Sequence, residues 1–174
     1  IRNRNRYGQV NNVINQQKIY TRRFVFSTNE TPTKTMKITI GSDHAGVEYK
    51  STIIYYLEKQ KHNVLDVGTF TKESVDYPKY AHLVAEEVLE GADCGILICG
   101  SGNGVSMVAN KHKGIRCAVC WNKEITKLAR QHNDANIISI PARFLSINKC
   151  IELITIFLNE PFEGGRHLRR INKI

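Results

Sequence analysis

GILICGSGNGVSMVA, residues 95–109, is the stretch from which the fold is read. Ile96, Leu97 and Ile98 run without polar alternation, as in a strand covered on both faces of a parallel sheet. Gly100, Ser101, Gly102, Asn103 and Gly104 follow, and then a helix-like segment. The order strand, loop, helix places the glycines at the carboxyl end of a central strand. Open α/β sheets bind ligands there, and free backbone N–H groups are offered to anions. Cys99 is the last residue before the loop, where a thiol either packs as a small hydrophobe or faces a ligand.

Outward from this centre the same unit repeats. Toward the amino terminus, Lys37 to Ile40 with Gly41 and Ser42 reads as a first strand, and a polar corner, Asp43-His44-Ala45-Gly46, leads into a helix from about Val47 to Gln60. Asn63 to Val67 reads as a second strand. A polar loop then leads to Pro78, at a favoured first-turn position of a helix carrying Ala81, Val84, Ala85 and Val88 on one face. Toward the carboxyl terminus come a strand at Ile115 to Cys120, a helix with Ile125, Leu128 and Ala129, a strand at Ala135 to Ile140, and a helix from Ile147 through Phe157 that ends before Pro161. Five alternations with short connections predict an α/β fold: a three-layer αβα sandwich around a doubly wound, five-stranded parallel sheet of Rossmann-like type. The remaining tail, Glu163 to Arg170, is glycine-rich and basic, and is expected to be a solvated end or an anion-binding arm.

The chain has 174 residues and is 41% hydrophobic, enough for one core. Its net charge of +9 is uneven: residues 1–35 hold seven basic residues against one acidic, leaving +3 for the remainder. That distribution argues against a nucleic-acid-binding core. The leader is rich in Asn, Gln and Arg without a long apolar run, so it is neither a secretory signal nor a membrane span. It reads either as an organelle transit peptide or as a tail, or translated stretch, ahead of a start at Met36. Five cysteines form no disulfide framework and suit a reducing compartment, with a cytoplasmic location expected. Cys117 and Cys120 make a lone C-x-x-C on a predicted strand, where positions three apart face opposite ways; they, Cys94 and Cys150 are read as structural thiols.

Chemistry concentrates at strand ends. Asp43 and His44 follow the first strand, Cys99 and the glycines the third, and Arg143 the fifth. The loop is G-x-G-x-G rather than G-x-G-x-x-G and follows the third strand, which argues against a dinucleotide. Successive N–H groups with Arg143, Arg166 and Arg170 instead suit a small phosphate ester. His132 and Asn133 precede the fifth strand, so they begin at the opposite edge. They join the same site only through a long loop or a second subunit.

These segments together resemble the type B ribose-5-phosphate isomerase family, which includes allose- and galactose-6-phosphate isomerases. The resemblance spans residues 36–174 and rests on Gly41-Ser42-Asp43-His44-Ala45-Gly46, Asp76-Tyr77-Pro78, Cys99-Gly100-Ser101-Gly102-Asn103-Gly104, Arg130-Gln131-His132-Asn133-Asp134 and Gly164-Gly165-Arg166-His167. It implies an aldose–ketose isomerase of ribose 5-phosphate and ribulose 5-phosphate acting through an enediolate. Cys99 would be the base, Ser101 would bind or protonate the oxygens, and N–H groups of residues 100–104 would hold the oxyanion. His132 would act as acid in ring opening with Asn133 beside it, Asp43 and His44 would hold the sugar, and Arg143, Arg166 and Arg170 the phosphate. It also implies a homodimer with its sites at the subunit interface, and neither metal nor organic cofactor. Some members carry a glutamate base just after the glycine loop; this chain has Val105 there, which leaves Cys99. A thiol near its ordinary pKa is mostly protonated at neutral pH, so the loop is expected to lower it. The competing readings are a six-carbon sugar phosphate substrate, a non-catalytic phosphate-binding module of the same fold, and nucleic-acid binding through the leader.

Overall fold

The computed structural model describes residues 34–174, so both readings of the leader lie almost wholly outside the described residues. Strand β1 (Lys37–Ser42) passes through one 3-10 turn (His44–Gly46) into α1 (Val47–Lys59), followed by β2 (Asn63–Asp66), α2 (Tyr77–Leu89) and β3 (Cys94–Cys99). Then come α3 (Asn103–Ala109), β4 (Cys117–Val119), α4 (Lys123–Gln131), β5 (Ile137–Pro141), α5 (Ile147–Asn159) and α6 (Gly165–Ile171). The five strands are all parallel, in the order β2-β1-β3-β5-β4. The predicted three-layer α/β architecture is thus present, with boundaries moved by a few residues. Strand four is shorter than expected, and the helix-like segment after the glycines is a helix of two turns, Asn103–Ala109.

Every residue of β3 and β5 is buried, which explains their unbroken apolar runs. Alternate residues face opposite layers. Leu97, Cys99 and Ile137 pack with Ala81, Val84, Val105 and Ala109 of α2 and α3. On the other side Gly46, at the start of α1, lies so close to Ile98 that a Cβ there would fall 2.7 Å from its Cγ2. Helices α1 and α4 pack against α5. Asn122 and Ser146 cap α4 and α5 by accepting hydrogen bonds from Ile125 and Lys149 N–H groups.

The tail is mostly exposed, as expected of a solvated end, and it also forms an element. Residues Gly165–Ile171 form a helix, begun by Gly164 and Gly165 with φ of 65° and 54°, and His167 within it is only 6% exposed. The two glycines permit the left-handed turn that starts the helix, and His167 is its one buried residue, the others being exposed or half-buried. No helix among the described residues is long and apolar enough to cross a membrane.

Candidate active site

The strand order creates the site. From β1 the chain moves outward to β2 and then returns to the other side of β1 as β3, so a crevice opens between the carboxyl ends of β1 and β3. Asp43 and Cys99 stand on its two sides. The ladder continues past the strands: Asp43 N donates to Ile98 O (3.2 Å), Ala142 N to Cys99 O (2.9 Å) and Arg143 N to Gly100 O (3.1 Å). Asp43, Cys99 and Arg143 are thereby set on three adjacent strand ends.

The glycines let other groups approach the loop. A Cβ on Gly100 would lie 3.1 Å from Arg143 Nε, so its absence lets the guanidinium lie against the loop. Gly102 has φ of 73°, a left-handed conformation glycine adopts freely, and its carbonyl accepts from Ser139 Oγ at 2.7 Å. A Cβ on Gly104 would lie 2.7 Å from Tyr77 Cζ and 2.9 Å from its hydroxyl. Tyr77 therefore covers the start of α3. Sequence reasoning quoted it within Asp76-Tyr77-Pro78 and gave it no role. Ser101 and Asn103 are exposed and Ser101 Oγ accepts from Asn103 N, leaving both side chains at the crevice mouth. His44 lies on the same edge, its Nδ1 accepting from Val75 N at 3.5 Å.

Cys99 is 8% exposed, and its Sγ donates to Asp43 Oδ2 at 2.9 Å. Burial, then the hydrogen bond and charge of Asp43, push the thiol pKa up, against a smaller downward pull from Gly102 and Ser101 N–H groups facing the sulfur. The expected lowering by the loop is present but outweighed, first by burial of the thiol and then by the Asp43 carboxylate beside it. The thiols of Cys94, Cys117, Cys120 and Cys150 are free and buried, and burial pushes all four up, Cys94 to about 12 and Cys150 to about 11. They behave as apolar core.

The second group of predicted residues lies elsewhere. His132 caps the carboxyl end of α4, and Asp134 N and Ala135 N return to Arg130 O and Ala129 O before β5 begins. That is the amino-terminal edge of the sheet. Asp134, with φ of 43°, is held by Arg116 Nη2 (2.9 Å) and Arg130 Nη1 (3.0 Å), while Arg116 Nε also donates to Asn133 O (2.9 Å). This clasp fixes the His132–Asn133 turn. His132 stacks on His167 with centroids 4.1 Å apart, and Glu163 Oε2 lies 3.8 Å from His132 Nε2 and 3.7 Å from His167 Nε2. Arg166 Nε reaches His167 Nε2 at 3.3 Å, and Arg170 adds to the positive charge that, with burial and His132, pushes His167 down. Within one chain, Asp43, His44, Cys99, residues 100–104 and Arg143 thus share one edge, while His132, Asn133, Arg166 and Arg170 belong to the other group. Glu163 and His167 join the second group without having been singled out; His167 stood in the quoted Gly164-Gly165-Arg166-His167.

His132, Glu163 and His167 bring ligand atoms within 4.8 Å of one another. A metal needs each nitrogen lone pair in its own ring plane at about 2.0–2.1 Å. Ring planes 7° apart and stacked offer no such shared point, and the neighbouring guanidinium groups repel a cation. The trio suits proton sharing beside an anion better than a metal.

The described fold is shared with known proteins. The family model for ribose/galactose isomerases matches residues 38–174. The chain is 45% identical over 139 residues to the probable ribose-5-phosphate isomerase B of Mycoplasma pneumoniae, covering 79% of this chain and 91% of that protein. It is 41% identical to ribose-5-phosphate isomerase B of Escherichia coli, covering 79% and 93%. Among solved structures, ribose-5-phosphate isomerase B of Clostridium thermocellum superposes with a TM-score of 0.78 at 45% identity, covering 79% of this chain and 94% of that one. The Mycoplasma genitalium enzyme with bound ribulose 5-phosphate gives 0.76 at 43% identity, covering 79% and 92%.

Proposed function

The chain belongs to the ribose/galactose isomerase family, and from that premise we propose that it interconverts ribose 5-phosphate and ribulose 5-phosphate through an enediolate with Cys99 as the base. The observation that carries this reading is the Cys99 sulfur set between the Asp43 carboxylate and the N–H groups of Ser101 and Gly102 at the β1/β3 crevice. As thiolate, Cys99 takes the proton from C2 of the open-chain aldose and returns it to C1, while a proton moves from the C2 oxygen to the C1 oxygen. In this reading the charge that builds on the oxygen is held by N–H groups of residues 100–104, and Ser101 Oγ exchanges its proton. Asp43 and His44 hold the sugar hydroxyls, and Arg143 lies against the loop.

His132, which assists ring opening, Asn133 beside it, and Arg166 and Arg170, which grip the phosphate, come in this reading from a second copy of the chain. Two observations support a homodimer. The two residue groups lie at opposite sheet edges of one protomer. Beside the glycine loop, over the carboxyl ends of β4 and β5, a groove of about 440 Å³ is lined by Ser101 and Asn103 together with Trp121 (51% exposed) and Phe144 (75% exposed), large apolar surfaces that a second copy would cover. The free thiols suit a reducing, cytoplasm-like compartment.

The test is conversion of ribose 5-phosphate by residues 36–174 and by the same protein with Cys99→Ala, with allose 6-phosphate in parallel. Pentose turnover that falls by about 10²- to 10⁴-fold without the thiol agrees with the reading. Turnover of the hexose alone moves the substrate class, and silence on both from a folded protein points to a phosphate-binding module.

A further inference from the structure

Asp43 does more than face the crevice. Its two carboxylate oxygens are divided between two tasks: Oδ1 accepts from Ala45 N at 2.9 Å and so fixes the 3-10 turn, and Oδ2 accepts the Cys99 thiol proton at 2.9 Å. The first bond immobilises the acceptor for the second. Asp43 is 6% exposed, so water competes weakly for Oδ2, and the β1–β3 register holds the two residues together although 56 positions separate them. We infer that Asp43 is a positioning residue for Cys99, keeping its thiol protonated and aimed across the crevice until a ligand hydroxyl takes over the carboxylate.

The groups around this end of β3 are Asp43 and His44 after β1, Arg143 after β5, Tyr77 of α2, and the loop N–H groups at the start of α3. A carboxylate in contact with sulfur repels the thiolate; Ser101 and Gly102 N–H groups favour it. On ionisation the S–H bond breaks, sulfur keeps the electron pair and the proton passes to solvent. That step is held back while the S–H group donates to Oδ2, and it is eased when a sugar hydroxyl donates to Oδ2 instead and leaves sulfur to the N–H groups. The inference deepens the reading of Cys99 as base. Its first part, that Asp43 holds the thiol protonated, concerns the free protein, so its test is independent of which substrate is turned over.

The experiment is the rate of iodoacetamide alkylation at Cys99 of the full chain as a function of pH, followed by mass spectrometry of the Cys99 peptide. The midpoint reports ionisation of the thiol, and the limiting rate at high pH reports access to it. Asp43→Asn keeps an oxygen to cap the turn and removes the charge. Its midpoint is expected to fall by about one pH unit or more, whereas Asp43→Glu, which keeps the charge, stays near the unaltered protein. A midpoint in Asp43→Asn that is unchanged or higher overturns the inference. If circular dichroism shows Asp43→Asn unfolded, Asp43→Ser, also a capping residue, is measured against the same criterion.

Discussion

Asp134 and Arg116 are joined across the start of β4 and β5 by a 2.9 Å ion pair, and the same guanidinium donates to the carbonyls of Asn133 and Asp134. A second pair from Arg130, at 3.0 Å, completes the clasp. Asp134 has φ of 43°, which Asn tolerates and Ala resists. Asp134→Asn is expected to cost about 1 kcal/mol of stability, discounted because the pairs are partly solvated, and Asp134→Ala more, because it adds backbone strain. Urea denaturation of both variants checks the order; Ala no worse than Asn would show that the backbone is not the constraint.

His132 is placed by that clasp, so the two can be separated. His132→Asn should lower turnover by about 10²- to 10⁴-fold with the melting temperature nearly unchanged. Asp134→Asn should act on stability first and on turnover less. Equal turnover of His132→Asn and the unaltered protein would remove His132 from the reaction.

Two glycines predict opposite outcomes. A Cβ on Gly95 meets Val84 Cγ1 at 2.6 Å and Ile137 Cγ1 at 3.0 Å inside the core, where nothing can move aside cheaply. Gly95→Ala should cost about 1–3 kcal/mol. A Cβ on Gly104 meets Tyr77, whose side chain is 38% exposed and can swing outward. Gly104→Ala should change stability little and impair turnover by uncovering the loop. Thermal melts and kinetics on the pair decide it.

Acid should destabilise the fold through histidine. His62 is 8% exposed, its Nδ1 accepts from Met36 N at 3.3 Å, and burial pushes its pKa down; His167 is pushed down as well. A pKa lower in the folded than in the unfolded state means that the unfolded chain binds more protons below about pH 6.5. The stability present above that pH is therefore lost as pH falls through the folded values. His62→Gln should flatten the decline in melting temperature between pH 7 and 5, and an equally steep decline would exclude His62 as a source.

Much of this was legible in residues 95–109. An apolar run and a glycine loop fix a buried parallel strand and its ligand end, and the alternation around it fixes the layers. What the sequence could not disclose is strand order. Cys99 meets Asp43 because β3 lies beside β1, and Arg143 reaches Gly100 because β5 lies beside β3. Periodicity carries no information about either neighbour. Hence the direction of the Cys99 shift differs from the expectation: the loop N–H groups are visible in the sequence, and neither the depth of burial of the thiol nor the carboxylate beside it is. Helix α6 was missed for another reason. Gly164-Gly165 and three arginines resemble a solvated end by composition, while the burial of His167 against the His132 turn depends on tertiary contact. By contrast, the separation of His132 from Cys99 was readable from position alone, since one precedes a strand and the other ends one.

The central claim is that one active site is assembled from two chains, Cys99 from one and His132 from the other. Its most direct test is the rate of ribose 5-phosphate to ribulose 5-phosphate conversion by a co-expressed mixture of Cys99→Ala and His132→Ala, each assayed alone as well. If the site is shared, each variant alone is nearly inactive. A mixed dimer then holds one doubly altered and one intact site, so an equal mixture recovers about a quarter of the unaltered activity. A mixture shown to contain mixed dimers that recovers no activity, or a Cys99→Ala protein that turns over normally, would contradict the account.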